Sequence, residues 1–206
     1  MAKLPRPPAS VAGVAPEWRV VASGTALFRV YFRASRHPTG WNAFRFFGPT
    51  TARYDHHEEP PRVQERGILY AATHPRAALA EVFQAGRLID AHTDEPWLVG
   101  FRVAETLRLL DLLGLWPTRA GASAAINSGP RPTARRWSRV IYASYPEAQG
   151  LWYGSSMAAN TPCVALFERA AAAVPPAPAF HHALADATLE AFLVRTAAKL
   201  GYRLVI

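Results

Sequence analysis

The sequence GILYAATHPRAALAEVFQAG at residues 67–86 carries the strongest local signals for secondary structure in this 206-residue chain. The apolar run at residues 68–70 follows a glycine and favours a β-strand. Pro75 suits the first position of a helix, where no N–H is needed, and Gly86 suits the position after the end of one. The stretch therefore predicts a strand that leads through a turn into a helix over about residues 75–85.

One charged residue of this helix lies beside its apolar face. At about 100° per residue, the helix gathers an apolar stripe made of Ala78, Leu79, Val82 and Phe83. Glu81 lies at the border of the stripe, where a carboxylate can reach towards a cleft, and Tyr70 at the strand's end could face the same cleft. The alternative is a solvated glutamate and a core tyrosine, since glutamate is common at helix borders.

A second predicted strand begins at Thr25 and carries an arginine in its middle. Alternation along the strand places Arg29 on one face together with Leu27 and Tyr31. A charged side chain in such an apolar run needs an anion or a paired carboxylate, because an unpaired buried charge is unfavourable. The alternative is an edge arginine whose guanidinium lies in water.

A third motif, GLWYGSS at residues 150–156, ends in two serines. Read alone, its Gly-Ser-Ser sequence is typical of an ordinary turn. It lacks the second glycine of the G-x-S-x-G motif found in hydrolases, so it does not predict a serine hydrolase. Asn160 and an apolar run at residues 164–167 follow it.

Residues 37–61 are rich in glycine, proline and aromatic side chains and show little periodicity, which predicts loops with one short strand. Arg53 and Tyr54 lie in this stretch. His56 and His57 could indicate a metal, but adjacent histidines lack the i, i+4 spacing of a helical ligand pair. We therefore predict no metal site.

Composition restricts the classes of protein further. The 23 Lys and Arg residues against 15 Asp and Glu give a formal net charge of +8, which favours an anionic partner, although an arginine-rich coding bias would give the same excess. The single cysteine, Cys163, excludes an internal disulfide and indicates a reducing compartment. No apolar run is long enough to span a membrane and no signal peptide is evident, so we expect a cytoplasmic protein. Residues 1–20, with four prolines, predict a separate N-terminal segment.

Taken together, three motifs in this order resemble the signature of the RES domain family, named for an Arg, a Glu and a Ser. The Phe28-Arg29 pair resembles the first motif, the Leu-Tyr strand with Glu81 in the following helix the second, and Tyr153-Gly154-Ser155 the third. The Arg53-Tyr54 pair resembles a Gly-Arg-Trp-like turn of the family, with Tyr in place of Trp. The resemblance covers about residues 25–170 and implies a single RES domain over residues 21–206.

This resemblance implies an α+β fold similar to that of ADP-ribosyltransferases, with twisted β-sheets around a cleft and flanking helices. It also implies an NAD-consuming toxin that breaks the nicotinamide–ribose bond by hydrolysis or phosphorolysis, with no cofactor beyond NAD as substrate and inorganic phosphate as an optional co-substrate. The implied catalytic residues are Arg29, Glu81 and Ser155. Arg53, Tyr70 and Ser156 are the implied NAD-binding residues.

The implied partner is a helix-turn-helix antitoxin of the Xre type that covers the cleft, so nucleic acid would be contacted only through the antitoxin. Two other functions remain open at this stage. One is transfer of ADP-ribose to a macromolecule from the same fold. The other, indicated only by the net charge, is nucleic-acid binding without turnover of NAD.

Overall fold

The computed structural model describes residues 4–206 of the chain. Within these residues the strands are β1 (Trp18–Val21), β2 (Ala26–Phe32), β3 (Arg45–Gly48), β4 (Arg62–Ala72), β5 (Leu88–Asp90), β6 (Pro96–Arg102), β7 (Leu107–Asp111), β8 (Gly150–Gly154), β9 (Pro162–Phe167), β10 (Phe180–Ala183) and β11 (Arg203–Val205). The α-helices are α1 (Pro75–Val82), α2 (Trp116–Arg119), α3 (Arg131–Ser144) and α4 (Glu190–Leu200). Short 3₁₀ helices lie at Ala9–Gly13, Ala124–Asn127, Glu168–Ala173 and Ala187–Leu189.

Most of the strands of the described region join in one twisted mixed sheet. Its order is β1-β7-β8-β9-β4-β2-β6-β10, and β3 pairs with β4 beside this path. The pair β7–β8 is parallel, whereas the other pairs of this sheet are antiparallel. A separate parallel pair joins β5 to β11. Helices flank the sheet, which confirms the α+β class predicted from the sequence.

A fork in this sheet creates the cleft. One edge of β4 pairs with β9 over residues 68–72, but its other edge is shared between two strands. The first half of that edge pairs with β3, up to Ile68, and its last residue Ala72 pairs with Phe28 of β2. Among the described strands, none pairs with this edge of β4 between Ile68 and Ala72, so β2 and β3 diverge here and leave a gap at Tyr70.

Helix α1 lies across this fork, and its start agrees with the prediction. Pro75 occupies the first turn, and the His74 side chain caps the helix by accepting a hydrogen bond from the Arg76 N–H. Its buried side is formed by four consecutive residues, Ala77, Ala78, Leu79 and Ala80. The helix thereby covers the core next to β2 and β4.

The predicted end of this helix was wrong by about three residues. The helix stops at Val82, and Phe83 rather than Gly86 is its C-cap. The Gln84 side chain donates to the carbonyl of Glu81 at 2.6 Å and so takes over a bond that another helical turn would have made. Val82 was placed in the apolar stripe, but it is exposed at the mouth of the cleft because the helix ends there.

The proposed N-terminal segment, residues 1–20, falls partly outside the described residues, since residues 1–3 are not described. Within the remainder, Leu4 and Val11 are buried in the main core. Strand β1 crosses the proposed boundary after residue 20 and pairs with β7. The division at that boundary stays a prediction.

Candidate active site

Three strands of the fork line a cavity of about 310 Å³. Arg29 comes from β2, Arg45 from the start of β3, and Tyr70 from β4. Glu81 of α1 closes the cavity from the helix side. Its volume lies at the lower end of the range for small-molecule sites. The fork therefore brings two arginines, a tyrosine and a carboxylate from four elements to one concave surface.

Glu81 is held by the serine of the third motif. The Ser155 hydroxyl donates to Oε1 of Glu81 at 2.5 Å, across 74 residues of sequence. Ser155 follows β8 and is fully buried, and its N–H donates to the Thr161 carbonyl at 3.0 Å. Its Oγ also accepts the Met157 N–H at 3.2 Å. The serine hydroxyl is therefore fixed from two sides, and its proton points to the glutamate.

A second contact reaches Glu81 from the opposite direction. Nε2 of Gln84 lies 3.4 Å from Oε2 of Glu81, and Oε1 of Gln84 accepts a hydrogen bond from Nη2 of Arg131 at 2.7 Å. Arg131 begins α3. Within residues 4–206, no cation forms an ion pair with Glu81. One oxygen of the carboxylate is thus tightly bound, and the other is only weakly engaged.

The Arg29 guanidinium is desolvated and has no carboxylate partner in the described part of the chain. Within residues 4–206 its side chain donates one long hydrogen bond, 3.5 Å from Nη1 to the carbonyl of Ala43. Burial, and secondarily the positive charge of Arg45, lowers the pKa of Arg29 to about 10. A guanidinium in this state has free N–H donors and favours an incoming anion.

Tyr70 presents an unusual polar atom to the cleft. Its hydroxyl is buried, lies near the backbone of Tyr54, and makes no hydrogen bond of ordinary geometry within residues 4–206. Burial raises the pKa of this phenol well above its usual value, so the group stays protonated. Buried polar atoms normally have partners. A hydroxyl without one at a cavity wall is available to a ligand.

A second cavity, of about 350 Å³, lies on the other side of Glu81. It shares with the first cavity a wall made of Tyr70, Glu81, Val82 and Tyr153. Arg53 lies on this second side, where its Nη1 donates to the Gly129 carbonyl at 2.5 Å. Arg53 and Arg29 thus face different cavities, with the carboxylate of Glu81 between them.

Four of the residues predicted from the sequence come together at the fork. Arg29, Tyr70 and Glu81 line the first cavity, and Ser155 donates a hydrogen bond to Glu81. Arg53 reaches the adjoining cavity instead. Ser156 is exposed and lines neither cavity. Sequence reasoning missed Arg45 and Arg131 as cleft residues; the Arg-Phe-Phe-Gly run at residues 45–48 was the available signal for the first of them.

The two adjacent histidines lie away from a metal-binding arrangement. His56 and His57 are fully buried, and the His56 ring stacks on Tyr142 with centroids 4.4 Å apart. Nδ1 of His57 donates to the Asp55 carboxylate. Among residues 4–206, no group of three or more His, Cys, Asp or Glu side chains is placed to hold a metal ion.

The model of the RES domain family matches residues 26–187 of the chain. The chain belongs to the RES domain family. The matched range contains every motif of the cleft, from β2 to the strand after Ser155. The RES family resemblance drawn from the three sequence motifs is therefore confirmed.

Comparison with solved structures supports the same fold. A chain of the crystal structure of the M. tuberculosis MbcT-MbcA toxin-antitoxin complex superposes on this RES domain with a TM-score of 0.57. The sequences are 15% identical, and the match covers 87% of this chain and 92% of the other. None of the curated proteins matches the sequence. No helix within residues 4–206 has the length and apolar character needed to cross a membrane.

Proposed function

We propose that this RES domain consumes NAD by breaking the bond between nicotinamide and ribose. The observation that carries this proposal is the position of Glu81, whose carboxylate lies in the wall between two cavities and is held there by Ser155. Membership of the RES family supports NAD as the substrate. A ligand bound across the shared wall would place one of its bonds beside the carboxylate.

The reaction needs a negative charge at that point. Cleavage of a glycosidic bond passes through an oxocarbenium-like state, whose positive charge a nearby carboxylate stabilises. Oε1 of Glu81 already accepts a strong hydrogen bond from Ser155, so the weakly engaged Oε2 is the oxygen that would face the ribose. Ser155 then acts by orienting Glu81, rather than by direct contact with the nicotinamide amide.

The remaining groups of the cleft have roles that follow from their chemistry. The unpaired guanidinium of Arg29 would hold the diphosphate of NAD. Tyr70 offers both its ring and its free hydroxyl to the nicotinamide ribose. The second cavity, with Arg53 on its wall, would receive the leaving nicotinamide and the attacking water or phosphate. Ser156 would approach a ligand only at the exposed rim.

A toxin of this kind would also need an inhibitor. The similar solved structure is a toxin-antitoxin complex, which supports a protein partner for this chain too. We propose a helix-turn-helix antitoxin with a segment that fills the open cleft at Glu81. Co-expression with the product of the adjacent reading frame should suppress NAD loss in cells, and no suppression would count against such a partner.

Product analysis tests the proposed reaction directly. Purified protein is incubated with NAD, with and without inorganic phosphate, and the products are separated by liquid chromatography and mass spectrometry. We expect nicotinamide together with ADP-ribose, or with its 1-phosphate when phosphate is the acceptor. A mass-tagged NAD that labels a protein or nucleic acid, with no free ADP-ribose product, would instead indicate ADP-ribosyl transfer.

Glu81→Gln is the decisive variant because it keeps an acceptor for the Ser155 hydroxyl while removing the charge. The loss of about 2 to 4 kcal/mol of transition-state stabilisation predicts a fall in kcat of roughly 30- to 1000-fold. Glu65→Gln, at an exposed position of β4, is the matched control and should retain the wild-type rate. Equal NAD consumption by wild type and Glu81→Gln would refute the role of Glu81.

A further inference from the structure

Arg45 is the second guanidinium of the first cavity. It is the first residue of β3 and pairs in register with Ile68 of β4, which places it at the fork beside Arg29. The two positive charges interact, since Arg45 is among the causes that lower the pKa of Arg29. Two guanidiniums at one cavity attract an anion that can accept from both.

Arg45 forms an ion pair with Asp55, but the Asp55 carboxylate also accepts hydrogen bonds from several other donors. Nη2 of Arg45 lies 2.8 Å from Oδ2 of Asp55, which is fully buried. The same oxygen accepts from the Thr50 N–H at 2.6 Å and from the Thr50 hydroxyl at 2.7 Å. The other oxygen, Oδ1, accepts from Nδ1 of His57. Although burial alone would raise it, these bonds and the Arg45 charge hold the pKa of Asp55 well below its usual range.

The far side of this network is fixed by packing. A Cβ atom added to Gly48 would lie 2.5 Å from Cγ of His57, so only glycine leaves room for the imidazole ring at this position. The carbonyl of His57 accepts a hydrogen bond from Nη1 of Arg139 at 3.2 Å. Asp55 is therefore held by a rigid loop, and it in turn fixes the direction of the Arg45 side chain.

The charges of this region do not cancel towards the cavity. Arg29 and Arg45 together carry two positive charges, whereas Asp55 is the only carboxylate bound to either of them within residues 4–206. Arg45 is partly exposed, and its contacts to Asp55 and to the Phe47 carbonyl leave further N–H donors free. Arg53, by contrast, faces the other cavity and donates to Gly129.

We propose that Arg29 and Arg45 form a subsite for the diphosphate of a nucleotide ligand, and that Asp55, supported by Thr50 and His57, is the positioning residue that orients Arg45. The choice of a dinucleotide as ligand rests on the proposed function. The subsite assigns Arg45, rather than Arg53, as the partner of Arg29. Asp55 and His57 touch no ligand in this arrangement.

Titration calorimetry with ADP tests the subsite without requiring any turnover of NAD. Arg45→Gln should weaken the binding of ADP by about tenfold or more, as the loss of one charge-assisted contact predicts. Asp55→Asn should weaken it by about three- to tenfold, because Arg45 loses its orientation while keeping its charge. Arg53→Gln should change it less than either. Arg62→Gln is the matched control, since Arg62 is an exposed arginine of β4 that bonds only to nearby carbonyls in the described residues.

Binding of adenosine distinguishes a local effect on the diphosphate subsite from a general loss of the folded structure. Binding of adenosine, which lacks the diphosphate, should be equal in wild type and in each folded variant. If Arg45→Gln or Asp55→Asn does not fold, Arg45→Lys and Thr50→Val are the milder substitutions. The first keeps the charge without the planar fork, and the second removes one hydrogen bond to Asp55. Each should weaken ADP binding by about two- to threefold, while adenosine binding stays unchanged.

Two results in the variants would overturn the proposal: wild-type affinity for ADP in Arg45→Gln or Arg45→Lys, or a larger loss in Arg53→Gln than in Arg45→Gln. Failure of wild type to bind ADP at millimolar concentration would overturn it as well. The proposed reaction can be refuted while the subsite holds: this is the case if the protein binds ADP through Arg45 but releases no nicotinamide from NAD. The two ideas therefore have separate outcomes in the same set of variants.

Discussion

Two groups of ionisable side chains lie near β3 and β4, and they differ in how their charges are satisfied. The cleft group, defined as Arg29, Tyr70 and Glu81, has few internal partners. The inner group, defined as Asp55 and Glu168, consists of carboxylates that each accept several hydrogen bonds. Both groups are largely shielded from water, so burial alone does not distinguish a binding site from a structural network.

The partners decide the difference. The Glu168 carboxylate accepts from the Tyr142 hydroxyl at 2.6 Å and from the Gly67 N–H at 2.9 Å, which ties helix α3 to strand β4. Arg29, although desolvated, receives only one long contact. Desolvating a charge without pairing it is costly, and a fold retains such a charge when a ligand supplies the missing partner. We therefore propose the cleft group as the functional one.

Removing a carboxylate from the inner group should give the largest effect on stability. Asp55→Ala leaves Arg45, Thr50 and His57 without their shared acceptor. Breaking a buried pair in this way typically costs about 3 to 5 kcal/mol. Urea denaturation should show this loss in the free energy of unfolding, whereas Glu81→Gln should change that free energy by less than about 1 kcal/mol. Similar losses in both variants would abolish the distinction between the groups.

The sequence predicted the cleft group better than the inner group for a physical reason. Arg29, Glu81 and Ser155 each lie within or just after a strand or helix whose pattern is clear, so their order along the chain could be matched to a family. Asp55 and His57 lie in an irregular loop, where no periodicity indicates which side chains turn inward. Their burial depends on packing against Gly48 and α3, which is decided by distant parts of the chain.

Contacts between distant segments of the chain could not be predicted from local sequence patterns either. The hydrogen bond between Ser155 and Glu81 joins the residue after β8 to helix α1, and nothing in either motif predicts that the hydroxyl points to the carboxylate. The early end of α1 has the same origin, because Gln84 turns back to Glu81 and also binds Arg131 of α3. Propensity sets the start of the helix, and tertiary contacts set its end.

Acid should destabilise the folded protein through protonation of Glu168, a member of the inner group. Burial alone would raise its pKa, but the His56 ring, the Tyr142 hydroxyl and the Gly67 N–H lower it from 4.5 to about 2. A carboxyl with a depressed pKa in the folded state stabilises the protein above its unfolded pKa, and that stability is lost as the pH falls from about 4.5 towards 2. The contribution is about 3 kcal/mol.

Glu168→Gln isolates this effect. The variant should be less stable than wild type at pH 7 and should approach wild-type stability near pH 2, as measured by urea denaturation across this pH range. Glu190→Gln, on the exposed side of α4, is the control and should keep the wild-type dependence on pH. A Glu168→Gln curve that runs parallel to wild type would mean that Glu168 is not a stabilising member of the inner group.

The two neighbouring serines test how the cleft carboxylate is held. Ser155→Ala removes the hydrogen bond to Glu81 and should lower kcat for NAD by about 10- to 100-fold, with KM nearly unchanged, because the carboxylate loses its orientation. Ser156→Ala should have a much smaller effect, since this side chain is exposed and lines neither cavity. Equal losses in kcat would show that both serines serve the reaction.

The smallest expected change concerns a single hydroxyl of the cleft group. Tyr70→Phe removes a buried oxygen that has no hydrogen-bond partner within residues 4–206, so the free energy of unfolding should stay equal or rise by up to about 1 kcal/mol. If this hydroxyl binds the nicotinamide ribose, KM for NAD should rise about threefold or more in the variant.

Tyr54→Phe provides the matched comparison for that hydroxyl. The Tyr54 hydroxyl donates within the fold, with Oδ1 of Asn127 at 2.9 Å and the Ile126 carbonyl at 3.2 Å. Its loss should lower stability by about 1 kcal/mol and leave KM unaltered. The Tyr70 hydroxyl would then contribute to binding of NAD and the Tyr54 hydroxyl to stability. If Tyr70→Phe instead lost stability with an unchanged KM, its hydroxyl would belong to the structural network.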